Sequence, residues 1–195
     1  MKVWLRYTIC IALGLAGGGA LAISQVRGDY SKQQARNGPW NANTNQGTKQ
    51  ASALTRAKVA VNGIFALPAK EAMYYIAHTD SDGAPLNGRC TYTVRGGGMD
   101  ARWWSITLYQ GAGWLVKNAA NRWSINGGAL PMMESNPPKW QFTVGPKAPL
   151  DDPQYLPTGG VQSFDLTLRI YHAQGALLND PTRAILPAIT REACA

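Results

Sequence analysis

"ARWWSITLYQGAGWLVKNAANRWSI", residues 101–125, sets two tryptophans, Trp103 and Trp104, side by side. On a β-strand, neighbouring side chains point to opposite faces. If residues 102–109 are a strand, Trp104, Ile106 and Leu108 share one face, and Trp103, Ser105, Thr107 and Tyr109 share the other. The first face is apolar and belongs to a core. The second carries hydroxyls and flat aromatic rings.

The same alternation recurs on either side. Phe164, Leu166, Leu168 and Ile170 oppose Ser163, Asp165, Thr167, Arg169 and Tyr171. Cys90, Tyr92 and Val94 oppose Thr91, Thr93 and Arg95. Antiparallel sheets with one solvated face give this pattern. Period-two runs also predict strands near 71–79, 89–95, 114–117, 122–126 and 140–144, separated by loops rich in Gly, Pro and Asn. Many short strands at such spacing indicate a mainly β class, an antiparallel sandwich or barrel. One short helix precedes them. Ser52 is its expected N-cap, and Leu54, Ala57, Val61, Ile64 and Phe65 form its apolar stripe, with Arg56 and Lys58 off it. Pro68 ends the run.

Three parts are expected: an anchor at 1–27, a flexible linker at 28–50 and a β-sandwich domain at 51–195. Residues 7–23, "YTICIALGLAGGGALAI", are 17 consecutive residues without a charge. As a helix they span about 25 Å, the lower limit for a hydrocarbon core. Lys2 and Arg6 precede the run, which holds the N-terminus in the cytoplasm. The expected location is the inner (cytoplasmic) membrane, crossed once, with the domain in the periplasm. The alternative is a signal peptide cleaved near Ala20-Leu21-Ala22, releasing the domain to the periplasm; the uncleaved anchor is the favoured reading. Gly14 and Gly18 form a GxxxG pair, a weak signal for a homodimer through this helix. Residues 28–50 contain four apolar residues, Tyr30, Ala35, Trp40 and Ala42, too few to offset the entropy of ordering. Trp40 is the one residue there expected to dock onto the domain.

The formal net charge is +8. Once Lys2, Arg6 and Arg27 are set aside, 16 basic residues face 11 acidic ones. They are scattered and never three in a row, so the charged stripe of a nucleic-acid binder is missing. His78 and His172 are the only histidines, and a zinc site needs more ligands at suitable spacing. Asp80-Ser81-Asp82-Gly83 resembles the start of a calcium loop but has Gly at position four and Thr91 at position twelve, so a plain hairpin connection is expected. The glycine runs "RGGGMD" and "NGGAL" lack the Lys-Ser/Thr of a phosphate loop. No G-x-S-x-G elbow seats a nucleophile, and nothing marks a carboxylate pair for acid–base work. No catalytic residue, metal ligand or cofactor is assigned. Of the three cysteines, Cys10 lies in the apolar run. Cys90 and Cys194 either pair in an oxidising compartment, closing a long loop worth about 4 to 5 kcal/mol, or remain free thiols.

"EAMYYIAHTDSDGAPLNG", "ARWWSITLY", "GWLVKNAANRWSIN", "YLPTGG" and "FDLTLRIY" follow one another in the order found in the bacterial family called domain of unknown function 1214. The chain resembles that family over roughly residues 50–195, most specifically in "WSITLY" and "NRWSI". The resemblance implies a jelly-roll-like β-sandwich. Many relatives join this domain to another, domain of unknown function 1254; the chain resembles a membrane-anchored version that stands alone, with a cysteine near each end of the domain. The motif positions carried over are Trp104, Ser105, Tyr109, Asn118, Asn121, Arg122, Arg169 and Tyr171. Trp123 stands where Tyr is more usual, and Gln154-Tyr155 stand where Asn-Trp usually precedes Leu-Pro, so a shared ligand contact at 154–155 is in doubt.

The family carries no settled activity. The expected role is binding or scaffolding in the cell envelope, with the inner membrane, an envelope protein or a small molecule as partner. The alternative is an enzyme or accessory subunit acting on a small molecule. The candidate ligand residues are Trp103, Tyr109, Asn118, Asn121, Arg122, Arg169 and Tyr171. Against them stands a plain outer sheet surface for the first group and turn chemistry for Asn118, Asn121 and Arg122.

Overall fold

The computed structural model describes residues 3–27, 35–45, 47–61, 67–111, 113–147 and 152–194. Of the residues singled out in the sequence, Lys2, Tyr30, Ile64 and Phe65 lie outside these ranges, as do linker positions 28–34 and 46.

A 25-residue helix, α1 (Val3–Arg27), opens the chain. It is apolar and long enough to cross a membrane, a test that signal sequences also pass. Strands β1 (Ala35–Asn37) and β2 (Trp40–Ala42) follow, then α2 (Ala53–Val61), β3 (Ala72–Ala77), β4 (Cys90–Gly97), β5 (Ala101–Gln110), β6 (Trp114–Leu115) and β7 (Ser124–Asn126). The chain continues through β8 (Lys139–Gly145), β9 (Tyr155–Pro157), β10 (Asp165–Ala173), the short helix α3 (Gly175–Asn179) and β11 (Ala188–Cys194).

The strands form two sheets. The larger runs β1-β2-β3-β10-β5-β6, with β7 also paired to β5; the smaller runs β11-β4-β8-β9. After β3 the chain passes from sheet to sheet repeatedly, so strands distant in sequence become neighbours, as β10 does between β3 and β5. The pairings are antiparallel except β8–β9, which is parallel. That pair departs from the all-antiparallel expectation, because the segment after Gly145 returns to lay Tyr155 beside Thr143 running the same way.

The apolar faces meet in one core. Trp104, Ile106, Leu108, Leu166, Leu168, Ile170, Met73 and Tyr75 come from the larger sheet, and Tyr92, Val94, Trp140, Phe142, Val144 and Ile189 from the smaller. Trp104 stacks on Trp140 across the sandwich, ring centroids 4.5 Å apart and planes 28° apart. Tyr92 meets Phe164 edge-on at 5.7 Å. The glycine runs explain themselves at this stack. A Cβ on Gly96 would run into the Trp140 ring, and one on Gly127 would lie 2.6 Å from Trp104 Nε1. Each glycine lets backbone approach an indole, and Trp140 Nε1 donates to the Gly97 carbonyl at 2.7 Å.

Several expectations need correcting. Residues 35–42 are not free linker: β1 and β2 form a hairpin that extends the larger sheet, with Trp40 opposite Ala77 on β3. The Trp40 indole is buried and donates to the Pro187 carbonyl at 2.7 Å, so one large side chain with a satisfied N–H anchors an otherwise polar segment. In α2, Ser52 caps as expected, its Oγ accepting from the Thr55 amide at 3.1 Å. The buried face, however, is Thr55, Lys58 and Val59, while Val61 is exposed. A lysine stem can lie along a surface as an apolar chain, so charge at residue 58 does not keep it outside.

The C-terminal strand is fastened in three ways. Cys90 and Cys194 are disulfide-bonded and face each other in the β4–β11 register. The buried Asp80 carboxylate pairs with Arg191 at 3.0 Å. Arg191 also lies 5.6 Å from the Tyr92 ring centroid and donates to the Pro85 carbonyl at 2.9 Å. Asp80 turns its other oxygen to the amides of Asp82 and Ala84, at 3.2 and 2.8 Å. The loop that resembles a calcium site in sequence is not the expected hairpin between paired strands: it is a tight turn closed by the Thr79–Pro85 bridge and held by its own first carboxylate, on the crossing from β3 of the larger sheet to β4 of the smaller.

Trp104 is 8% exposed and Trp103 44%. Replacing Trp104 by Ala should therefore lower stability by roughly 3–5 kcal/mol, the range for truncating a buried aromatic, while Trp103→Ala should change it by less than about 1 kcal/mol. Urea unfolding of the two variants checks this; equal losses would contradict the opposite orientation of the pair.

Candidate functional site

The second face of the larger sheet collects the residues that the alternation sends outward. Registry fixes their rows across β3, β10 and β5. Tyr74, Arg169 and Ser105 lie in line, as do Ile76, Thr167 and Thr107. Trp103 stands opposite Tyr171, and Tyr109 opposite Asp165.

This face is less wet than the alternation suggests. Ser105, Thr107, Thr167 and Tyr74 are buried, while Arg169, Tyr109 and Tyr171 are half-buried. The reason is the difference in side-chain length. Arg169 donates through Nη1 to Thr107 Oγ1 at 3.0 Å and through Nη2 to the Tyr109 hydroxyl. Its guanidinium carbon lies 5.2 Å from the Tyr109 ring centroid and 5.9 Å from that of Tyr74. Long aromatic and guanidinium groups thus close over short hydroxyl neighbours. Burial pushes the Tyr74 hydroxyl above its ordinary pKa; Tyr171 and Tyr109 push the same way, and the Arg169 charge opposes them. Among the described residues no carboxylate lies within ion-pair distance of Arg169. Asp165, at one end of the face, is held by His78 Nδ1.

At the other end Trp103 and Tyr171 form an aromatic pair, ring centroids 5.5 Å apart and planes tilted by 57°, with Trp103 exposed. Four of the seven candidate ligand residues, Trp103, Tyr109, Arg169 and Tyr171, are thereby brought onto one surface.

The other three are elsewhere and occupied with backbone. Asn118 Nδ2 donates to the carbonyls of Val116 and Arg122 at 3.1 and 2.9 Å, and its Oδ1 accepts from the Arg122 amide at 3.1 Å. Asn121 holds the positive φ of +48° that the tight connection needs, a conformation asparagine tolerates. Arg122 donates through Nη1 to the carbonyls of Tyr155, at 2.9 Å, and Asp152. The Trp123 indole donates to the Val116 carbonyl at 2.7 Å. "KNAANRWSI" is a turn that fastens the segment entering β9.

Sequence reasoning missed Tyr74. The signal was present: Tyr74-Tyr75 repeats the logic of Trp103-Trp104, with Tyr75 fully in the core and Tyr74 on the second face. Only the β3–β10 pairing places it against Arg169.

A family model described as "Protein of unknown function (DUF1214)" matches residues 71–175. The chain belongs to the DUF1214 family. The match runs from the start of β3 to the start of α3, so it contains both the Arg169 face and the Arg122 turn; Arg191 and Cys194 lie beyond it. Among solved structures, the VPA0106 protein of Vibrio parahaemolyticus is 23% identical with a TM-score of 0.63, over 93% of this chain and 44% of that one. This likeness supports the β fold. An uncharacterised protein of Burkholderia cenocepacia is 13% identical with a TM-score of 0.46, over 94% of this chain and 43% of that one. The chain spans less than half the length of either. No curated protein matches it significantly.

One consequence of the DUF1214 core is alkaline lability. Burial raises the Tyr155 hydroxyl from its ordinary 10.0 to about 12, and pushes Tyr75 upward too. Between those values the unfolded chain has released a proton that the folded chain keeps, so stability falls as pH rises from about 10 towards 12. Tyr155→Phe, which has no proton to lose there, should show a shallower decline in urea unfolding from about pH 9 to about pH 12. An identical decline would refute the assignment.

Proposed function

We propose that this DUF1214 protein is an exported, membrane-tethered binding domain of the cell envelope whose ligand face is the second face of the larger sheet. The observation that carries the binding role is the Trp103–Tyr171 pair beside the half-buried Arg169 cluster. Flat apolar area next to a few oriented polar groups is the usual make-up of a small-molecule site. The export half rests on the apolar α1 and on the Cys90–Cys194 disulfide, since disulfides persist in oxidising compartments.

A second reading, an enzyme or accessory subunit, draws on one feature. His78 is held by the Asp165 carboxylate at the end of the same face, the arrangement that orients an imidazole for proton transfer. Binding is the better reading because the aromatic pair and Arg169 supply recognition groups, whereas the sequence carries no recognisable nucleophile motif for such an imidazole to serve.

Export is tested by expressing the full chain in a Gram-negative host and adding protease to spheroplasts. The domain should be digested there, protected in intact cells, and migrate faster without reductant. Protection in spheroplasts would overturn export. Binding is tested by thermal shift of the full chain in detergent against a broad small-metabolite library. A ligand that binds only the folded state stabilises it by about 2.7 kcal/mol at about a hundred times its Kd. At least one compound should raise Tm, and Trp103→Ala should abolish the rise. If nothing raises Tm, or the rise survives that substitution, the ligand face is misassigned.

A further inference from the structure

On this face Arg169 meets no acid among the described residues. Arg169 is half-buried, yet its partners are neutral: the Thr107 and Tyr109 hydroxyls and the Tyr74 and Tyr109 rings. Two other arginines meet acids, Arg191 meeting Asp80 and Arg183 meeting Asp180, while Arg122 spends its donors on backbone carbonyls. A guanidinium has five N–H donors, of which the two hydroxyls take two. The remainder, in a partly dehydrated setting, favour an anion that can accept two bonds in a plane.

The surroundings narrow the anion further. A single guanidinium provides one positive charge. The row beyond Tyr109 ends in Asp165, which adds negative charge to the face. A phosphate dianion would be under-compensated there, whereas a carboxylate matches one guanidinium in charge and in its two coplanar oxygens. On the other side, Tyr171 is two residues along β10 from Arg169, about 7 Å at strand spacing. The guanidinium leans away from that pair, towards Thr107 and Tyr109, so the gap to be bridged exceeds this backbone spacing, and a ring joined to its carboxyl group through two carbons suits it better than one joined directly. Trp103 and Tyr171 offer the flat apolar surface for it.

We infer that the Arg169 face takes small aryl carboxylic acids, the carboxylate on the Arg169 guanidinium and the ring on the Trp103–Tyr171 pair. This rests on the binding role proposed above and adds the chemical class of the ligand. Arg169 reads the carboxylate and the aromatic pair reads the ring. The Tyr109 hydroxyl and Thr107 hold the guanidinium in place, as positioning residues.

The experiment uses the full chain in detergent with defined probes. Benzoate, phenylacetate and cinnamate are titrated by tryptophan fluorescence and thermal shift beside the corresponding amides, which keep the ring and lose the charge. Acetate and inorganic phosphate serve as anions without a ring. The acids should bind at least about tenfold more tightly than their amides, and acetate and phosphate more weakly than any aryl acid. Arg169→Gln should weaken the acids on the order of tenfold to a hundredfold and leave the amides unchanged. Arg169→Lys, which keeps the charge and loses the planar fork, should fall between. The acid–amide comparison on the unmodified chain decides the matter even if the Arg169 variants fail to fold. Equal affinity for acids and amides, no binding of the acids, or phosphate binding as tightly as the aryl acids would overturn the inference. Neutral compounds that bind in a Trp103-dependent way while the acids do not would reject the ligand class and leave the binding face standing; silence from both these probes and the broad library would remove the face itself.

Discussion

The cross-sheet stack of Trp104 on Trp140 is the constraint from which the rest follows. Two large indoles share the centre of the sandwich, and backbone reaches them at glycines, Gly127 at one and Gly96 at the other. That geometry fixes which way β5 faces. Side-chain direction on a strand has a period of two, so a slip of one residue would exchange Trp103 for Trp104 and reverse every neighbour. Because β10 pairs with β5 residue by residue, the same parity points Leu166, Leu168 and Ile170 inward and Arg169 and Tyr171 outward. The candidate binding face exists as the reverse side of a well-packed core.

Much of this is legible in the sequence wherever burial on one face imposes strict alternation. The long strands β4, β5, β8 and β10 declare themselves in Cys90-Tyr92-Val94, Trp104-Ile106-Leu108, Trp140-Phe142-Val144 and Leu166-Leu168-Ile170. Strands without that alternation do not. "ARN" and "WNA" of the first hairpin and "ITREAC" near the C-terminus are polar or mixed, and they are strands because a neighbour offers a hydrogen-bonding edge. Tertiary pairing of this kind has no local signature. The α2 stripe misleads for a related reason: periodicity shows which residues are apolar, while the packing partner decides which face is used.

The site divides along the same line. Arg122 and Arg169 look alike in the sequence, each with an aromatic residue within two positions, Trp123 and Tyr171. They differ in what surrounds them once folded. Arg122 meets the backbone carbonyls of Asp152, before β9, and of Tyr155, the first residue of that strand, which already occupy it. Arg169 meets hydroxyls and ring faces, which orient it without neutralising it. Spacing along the chain cannot separate a backbone clamp from a candidate recognition group. The distinction arises between strands far apart in sequence, as with Tyr74 beside Arg169.

The fastening of β11 bears on how the domain is completed during synthesis. β4 emerges early, yet its β11 edge, the disulfide partner of Cys90 and the counter-charge of Asp80 all reside in the 188–194 segment. Until those residues arrive, the smaller sheet has an open edge, an unpaired thiol and an uncompensated acid. A nascent chain halted before residue 188 would carry all three at once; the arrival of this segment replaces the regular β4 edge with that of β11, whose register shift and charged residues make it a poorer template for edge-to-edge association.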